Sequence, residues 1–208
     1  MLDLSPASEE DCIWNFGVAE MESPRDSGLG YIMRLSARCM DRIRAANRWQ
    51  DLSESDRREL RDAVLSKRGN IVRPLLRQCT GWWYASLPLS EVGQVRLMSH
   101  QPFLRLAGSG KLEDFVVALD RGELPPGDED FGLNYQQVRA AFDPTKIRGV
   151  PVLVSRSIDG PWIEAEGLTR LSIWTSKHSK GEAADSAIHV LLGVCPGIAE
   201  WPYDRWDA

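Results

Sequence analysis

The 208-residue sequence lacks several features that mark whole classes of protein. No apolar run approaches the roughly 20 residues that a helix needs to cross a bilayer, so no membrane partner is expected. The opening MLDLSPASEEDC has no basic start followed by an apolar stretch, so no secretory signal is predicted and a cytoplasmic location is expected. Internal repeats and low-complexity tracts are absent, and the apolar (43%) and charged (26%) fractions exclude a disordered, collagen-like or rod-like chain.

Cysteine is sparse and widely spaced. Cys12, Cys39, Cys79 and Cys195 form no Cys-x-x-Cys pair and have no histidine at ligand spacing, so a structural zinc site is not expected. Because a chain of this length can bury a core without cross-links, we predict buried, reduced thiols. A Gly-x-Ser-x-Gly elbow is also absent, which leaves a serine-hydrolase interpretation without its nucleophile.

Positive charge is concentrated in one part of an acidic chain. The sequence has 25 basic and 30 acidic residues, a net charge of −5, whereas residues 34–77 contain twelve Lys/Arg and six Asp/Glu. Arg34, Arg38 and Arg42 are spaced four apart and would form one stripe on a helix. This stripe is either a contact surface for a nucleic-acid backbone or a solvated helix face paired with acidic neighbours. The lack of interleaved aromatic residues favours the second interpretation.

The spacing of apolar residues divides the chain into two regions and predicts the α+β class. Residues 1–80 are predicted to be helical, and residues 81–208 mix strands, helices and turns. The helices predicted in the first region cover 8–22, 29–49, a segment from Ser53 or Ser55 to Gly69, and a short segment after Pro74. In the second region we predict helices at 111–121, 135–142 and 168–177, an exposed loop at 123–130, strands at 150–155, 162–166 and 187–194, and a two-residue hairpin turn at Asp159-Gly160.

The segment Glu166-Gly-Leu-Thr-Arg170 lies where a predicted strand turns into a predicted helix. Gly167 leaves room for a ligand at the backbone, and Thr169 opens the helix, where free N–H groups and the helix dipole favour an anion. Arg170 adds a fork of donors that matches phosphate or carboxylate oxygens. Glu166 is the predicted catalytic residue, as a general base, or else a ligand for a metal or a ribose hydroxyl. In a purely structural turn, Thr169 would cap the helix and Arg170 would join an ion pair.

Glu164 and Glu166 are two residues apart on the predicted strand and would share one of its faces. Two carboxylates on one face can hold a metal ion, and equally such a face can lie in solvent. The sequence leaves both interpretations open.

Short motifs between residues 86 and 195 follow one order of elements. The first two are the segment Leu87-Pro-Leu-Ser-Glu-Val92 and a helix from Ser109 to Gly122. A hairpin segment follows, with Val150-Pro-Val-Leu-Val154, Asp159-Gly160 and Ile163-x-x-Glu-Gly167. The last is the strand Ile188-His-Val-Leu-Leu192. These motifs resemble the ParB/sulfiredoxin-like superfamily, in which a hairpin leads into a Gly-x-x-Arg turn on a helix N-terminus.

The resemblance implies a ParB/sulfiredoxin-like domain over residues 81–208 that binds a nucleotide. In that superfamily the turn holds phosphates, so Gly167, Thr169 and Arg170 would bind a nucleoside triphosphate with Mg²⁺, and Glu166 would act in NTP hydrolysis or phosphotransfer. Sulfiredoxins place a cysteine and a histidine within this turn, where Leu168 and Thr169 stand here, so sulfinic-acid repair is not expected. The second motif and the helix-turn-helix of chromosome-partitioning ParB proteins are not found.

Tryptophan is abundant and supports a different class of function. The eight are Trp14, Trp49, Trp82, Trp83, Trp162, Trp174, Trp201 and Trp206. They can form core, an interface or a stacking surface for a base. The alternative prediction is therefore a non-enzymatic interaction module, compatible with a defence- or toxin-linked role, that binds nucleic acid through residues 34–77 or a protein through the tail from Trp201 to Trp206. Most of the other tryptophans are expected to pack the turn or the junction of the two regions.

Overall fold

The computed structural model describes residues 3–22, 35–143, 148–183 and 186–197. Within these ranges the chain forms nine α-helices and a mixed sheet of five strands, which confirms the predicted α+β class. No helix in the same ranges has the length and apolar character needed to cross a membrane.

The sheet joins strands from the whole length of the chain. Its members are β1 (Asp3–Ala7), β2 (Gly81–Pro88), β3 (Val152–Ser155), β4 (Ile163–Glu166) and β5 (Ala187–Val194). They lie side by side in the order β1-β2-β5-β3-β4, with β3 and β5 parallel and all other neighbours antiparallel. The strand predicted at 187–194 is confirmed at both ends as β5.

The helices form two groups along the chain. The first group is α1 (Glu9–Glu22), α2 (Ala37–Ala45), α3 (Glu54–Lys67) and α4 (Gly69–Gln78), and the second is α5 (Leu89–Val92), α6 (Gln101–Ala107), α7 (Leu112–Asp120), α8 (Glu129–Ala140) and α9 (Leu168–Ser179). Ser53 caps α3 as predicted, with its hydroxyl accepting the Asp56 N–H at 3.2 Å. The predicted helices at 8–22 and 111–121 are confirmed as α1 and α7.

Helices cover both faces of the sheet. Val152 and Val154 of β3 join the core of helices α1 to α4, whereas Leu153 between them joins the core of helices α5 to α9. The same alternation separates Leu191 from Leu192 in β5, as the period-2 geometry of a strand requires. The N-terminal helical region therefore packs directly on one face of the sheet.

The first region departs from the prediction in three places, two of them before residue 50. Residues 3–7 form an edge strand instead of belonging to the helical region, and Pro6 is tolerated there because an edge strand does not need every N–H. Of the helix predicted at 29–49, residues 35–49 are described, and α2 is shorter than this part at both ends. It begins after its cap Ser36 and ends at Ala45. Residues 23–34 lie outside the described part of the chain.

Pro74 was expected to precede a helix but lies inside α4. Proline removes one backbone hydrogen bond from a helix interior. The buried side chains of Ile71, Val72 and Leu75 form the inner face of α4, and their burial outweighs that loss.

Two elements of the second region also differ from the prediction. Strands β3 and β4 form the predicted hairpin, but residues 156–162 connect them instead of a two-residue turn. Pro161 has no N–H for a ladder bond, and its carbonyl accepts the Ser155 hydroxyl at 2.8 Å. Helix α8 starts at Glu129, within the predicted loop, because acidic residues stabilise the first turn of a helix.

Three of the four cysteines are buried and Cys79 is half-buried, but only two of the four are free. Cys12 and Cys39 are reduced and buried as predicted, and burial raises the pKa of both thiols, that of Cys39 to about 11. Cys79 and Cys195 form a disulfide, which corrects the expectation of four reduced thiols. They are 116 residues apart in the sequence, and only the pairing of β2 with β5 brings them together.

The described tryptophans pack the two cores. Trp14, Trp49 and Trp82 are buried on the side of α1 to α4, and Trp83, Trp162 and Trp174 are half-buried against the core of α5 to α9. Trp201 and Trp206, the proposed protein contact, lie outside the described residues.

A charged network joins α7, α8 and α9 at Asp120. Its carboxylate accepts hydrogen bonds from the Ser176 hydroxyl at 2.7 Å and the Tyr135 hydroxyl at 3.1 Å. Lys180 Nζ lies 2.7 Å and Arg139 Nη1 3.3 Å from the same group. Burial alone would raise the pKa of Asp120, but hydrogen bonds from Lys180 and Ser176 outweigh it and lower the pKa below its ordinary value.

Candidate functional site

The predicted strand-to-helix turn joins β4 to α9. Gly167 stands between them in the left-handed region, with φ of 98°. A Cβ atom on Gly167 would lie 2.9 Å from Cβ and 3.0 Å from Cα of Pro151. Both the backbone conformation and the close approach therefore require glycine at this position.

No described side chain caps α9. The first intrahelical hydrogen bond runs from the Leu171 N–H to the Gly167 carbonyl at 3.0 Å. The N–H groups of Leu168, Thr169 and Arg170 come before this bond and have no acceptor within the helix. Thr169 does not fill the capping position, because Gly167 does. The first turn has no acidic residue, and it presents the positive end of the helix dipole.

Arg170 is half-buried beside this turn. Its Nη1 donates to the carbonyl of Gly149 at 3.3 Å and to that of Arg148 at 3.4 Å. These bonds hold the guanidinium against the loop before β3, with Nη2 3.3 Å from the position of a Cβ on Gly167. The structure thus brings Gly167, Thr169 and Arg170 together, as their spacing requires.

Glu166 and Glu164 have different surroundings. Glu166 is half-buried, and its Oε1 accepts the Gly167 N–H at 2.8 Å. Glu164 is only 2% exposed, so the interpretation of a shared solvated face is wrong for this residue. The pairing of β3 with β4 shifts register between the Val152–Glu166 and Leu153–Glu164 pairs, and such an irregularity at a strand end redirects side chains.

A second carboxylate lies near the turn on the helical region. Glu20 of α1 has a side chain only 13% exposed, and it forms an ion pair with Arg68 at the junction of α3 and α4. Burial raises the pKa of Glu20 above its ordinary value; the charge of Arg68 opposes this and that of Glu166 adds to it. The sequence did not predict this ion pair, because the two residues are 48 positions apart and no short sequence motif indicates that they meet.

The arginine stripe is only partly described. Arg34 lies outside the described residues and Arg38 is exposed. Arg42 forms an ion pair with Asp56, with Nη1 2.7 Å from Oδ2. The Asp56 side chain is 7% exposed. Hydrogen bonds from Ser53 and Arg42 lower the pKa of Asp56. Arg42 thus has a neighbouring acidic partner, although from α3 rather than from its own helix.

Comparisons with protein-family models, with curated proteins and with solved structures find no match for this chain. The resemblance to the ParB/sulfiredoxin-like superfamily stays a prediction. Function is therefore inferred from the chemistry of the turn itself.

Proposed function

We propose that the chain binds a nucleoside triphosphate at the N-terminus of α9. The observation that carries this proposal is the left-handed Gly167 turn, which opens a helix without a side-chain cap beside the arginine fork of Arg170. Helix N–H groups and a guanidinium are the donors that phosphate oxygens prefer. Thr169 adds a hydroxyl in the same helix turn.

The neighbouring carboxylate suits the Mg²⁺ that accompanies such a ligand. Carboxylate oxygens are preferred Mg²⁺ ligands, and Glu166 supplies them next to the turn. No group of three or more His, Cys, Asp or Glu side chains in the described ranges could hold a metal, so the ion would enter bound to the phosphates. When bound, Mg²⁺ neutralises charge on the phosphoryl oxygens. Glu166 would accept a proton from the attacking water in hydrolysis, or from the attacking hydroxyl in phosphotransfer. The attacking oxygen would bond to the γ-phosphorus as the bond to the bridging oxygen breaks and the nucleoside diphosphate leaves.

Nucleotide binding predicts a ligand-dependent rise in the melting temperature. The test adds ATP, CTP, GTP or ADP with Mg²⁺ to the natural chain, to Arg170→Ala, and to Arg105→Ala as a control at an exposed arginine. At a nucleotide concentration of about 100 times Kd, we expect a rise of about 5–10 °C for the natural chain and the control. Arg170→Ala should lose most of the rise. No shift with any of the four nucleotides would contradict the proposal.

A further inference from the structure

We infer that Asn15 and Arg148 are positioning residues for the turn from Glu166 to Arg170. Through them the helical region holds the loop at 148–151, and that loop holds the turn. The functional meaning of this inference rests on the proposed nucleotide site. The positioning itself is a property of the protein without ligand.

The first contact comes from α1. Asn15 is 1% exposed, and its Oδ1 accepts the N–H of Val150 at 2.6 Å. Its Nδ2 donates to the carbonyl of Asp11 at 2.7 Å, so both ends of the amide are bonded. A Cβ on Gly149 would lie 2.8 Å from Asn15 Oδ1, which places the loop backbone directly on this side chain. A buried amide bonded at both ends fixes the position of the loop.

The second contact comes from the end of α2. Arg148 Nη1 donates to the carbonyl of Ile43 at 2.7 Å and to that of Arg44 at 3.0 Å. The Arg44 carbonyl is one of the last in the helix, which have no intrahelical partner, and the Ile43 carbonyl also accepts the Ala46 N–H at 3.3 Å. A guanidinium is well suited to both carbonyls because it matches the negative end of the helix dipole. Helix α2 thereby holds the start of the same loop.

The loop then contacts the turn at two points. The carbonyls of Arg148 and Gly149 accept Nη1 of Arg170, and Pro151 packs against Gly167. A shift of the loop would therefore move the guanidinium of Arg170 and, at the same time, remove the packing of Pro151 against Gly167. Asn15 and Arg148 touch no ligand in this scheme; they act through the loop.

The first arm of the test needs no ligand. Arg148→Ala and Asn15→Ala are compared with Arg44→Ala, a control whose exposed side chain pairs with Asp41 instead. We expect amide hydrogen exchange at Leu171, whose N–H donates to the Gly167 carbonyl, to become about tenfold faster in the two variants, the effect of losing one hydrogen bond to the loop, with β2 amides unchanged. Arg148 is half-buried, so its variant remains informative even if Asn15→Ala fails to fold. Unchanged exchange at Leu171 in Arg148→Ala would overturn the inference.

The second arm measures MgATP affinity by titration calorimetry. Arg148→Ala should weaken binding about tenfold in the natural chain but have little further effect in Arg170→Lys, which keeps the charge and loses the fork. Fully additive effects would show that Arg148 does not act through Arg170 and would overturn the inference. If the natural chain binds no MgATP, the proposed function fails, and the exchange measurements still decide whether the two residues position the turn.

Discussion

Replacing Asp120 by asparagine is expected to lower the free energy of unfolding by roughly 3 kcal/mol. The substitution keeps the shape of the side chain but leaves Lys180 and Arg139 without their shared anion, and it replaces one of the two oxygens that accept the hydroxyls of Tyr135 and Ser176. The expected loss lies at the low end for buried pairs because the Lys180 side chain, 36% exposed, keeps access to water. Urea unfolding measures the loss. Asp62→Asn on α3, at an exposed position, is the control and should stay within about 0.5 kcal/mol of the natural chain.

The same comparison has a defined pH dependence. The folded-state pKa of Asp120 is lowered, so its stabilising contribution is complete above the unfolded-state pKa of about 3.9 and is lost as the pH falls through the folded value. The stability difference between the natural chain and Asp120→Asn should therefore be constant from about pH 7 to pH 5 and shrink below about pH 4. A difference that grows on acidification would contradict the assigned network.

Replacing Gly167 by alanine is expected to cost about 2–5 kcal/mol of unfolding free energy. The left-handed backbone costs a non-glycine residue about 1–2 kcal/mol, and the new Cβ would also press on Pro151 at 2.9 Å, an overpacking cost of about 1–3 kcal/mol. The variant should also lose nucleotide binding, because the added methyl group lies against the arginine fork.

The variant Gly122→Ala separates the cost of the left-handed backbone from the cost of packing against Pro151. Gly122 has a similar φ of 82°, but nothing lies within 4 Å of a Cβ built there. Its replacement should cost only the backbone term, about 1–2 kcal/mol, and leave nucleotide binding intact. Equal losses of stability in the two variants, measured by chemical denaturation, would show that the packing of Gly167 on Pro151 contributes nothing.

The sequence predicted the elements whose signals are local. Periodicity and glycine positions located β5, α7 and the start of α9, and Ser53 marked the start of α3, because caps and apolar faces are encoded within one or two helix turns. Local signals failed at Pro74, where the burial of neighbouring apolar residues decides that the helix continues through a proline.

The surroundings of the turn could not be predicted in the same way. The segment from Glu166 to Arg170 is contiguous, so its composition and spacing identified it. Asn15 contacts the loop that holds the turn, and the charge of Glu166 acts on Glu20, only because α1 packs on the sheet beside β3. The disulfide between Cys79 and Cys195 depends in the same way on the pairing of distant strands, which no spacing rule reveals.

The most direct test of nucleotide binding at α9 is a titration of ¹⁵N-labelled protein with MgATP, followed by amide NMR. Bound phosphate should shift the amide resonances of Leu168, Thr169 and Arg170 in a saturable way, because their N–H groups precede the first bond of the helix. The same titration of Arg170→Ala should give much smaller shifts at these amides. The absence of saturable shifts there in the natural chain, or saturable shifts confined to α2, would contradict the proposed site.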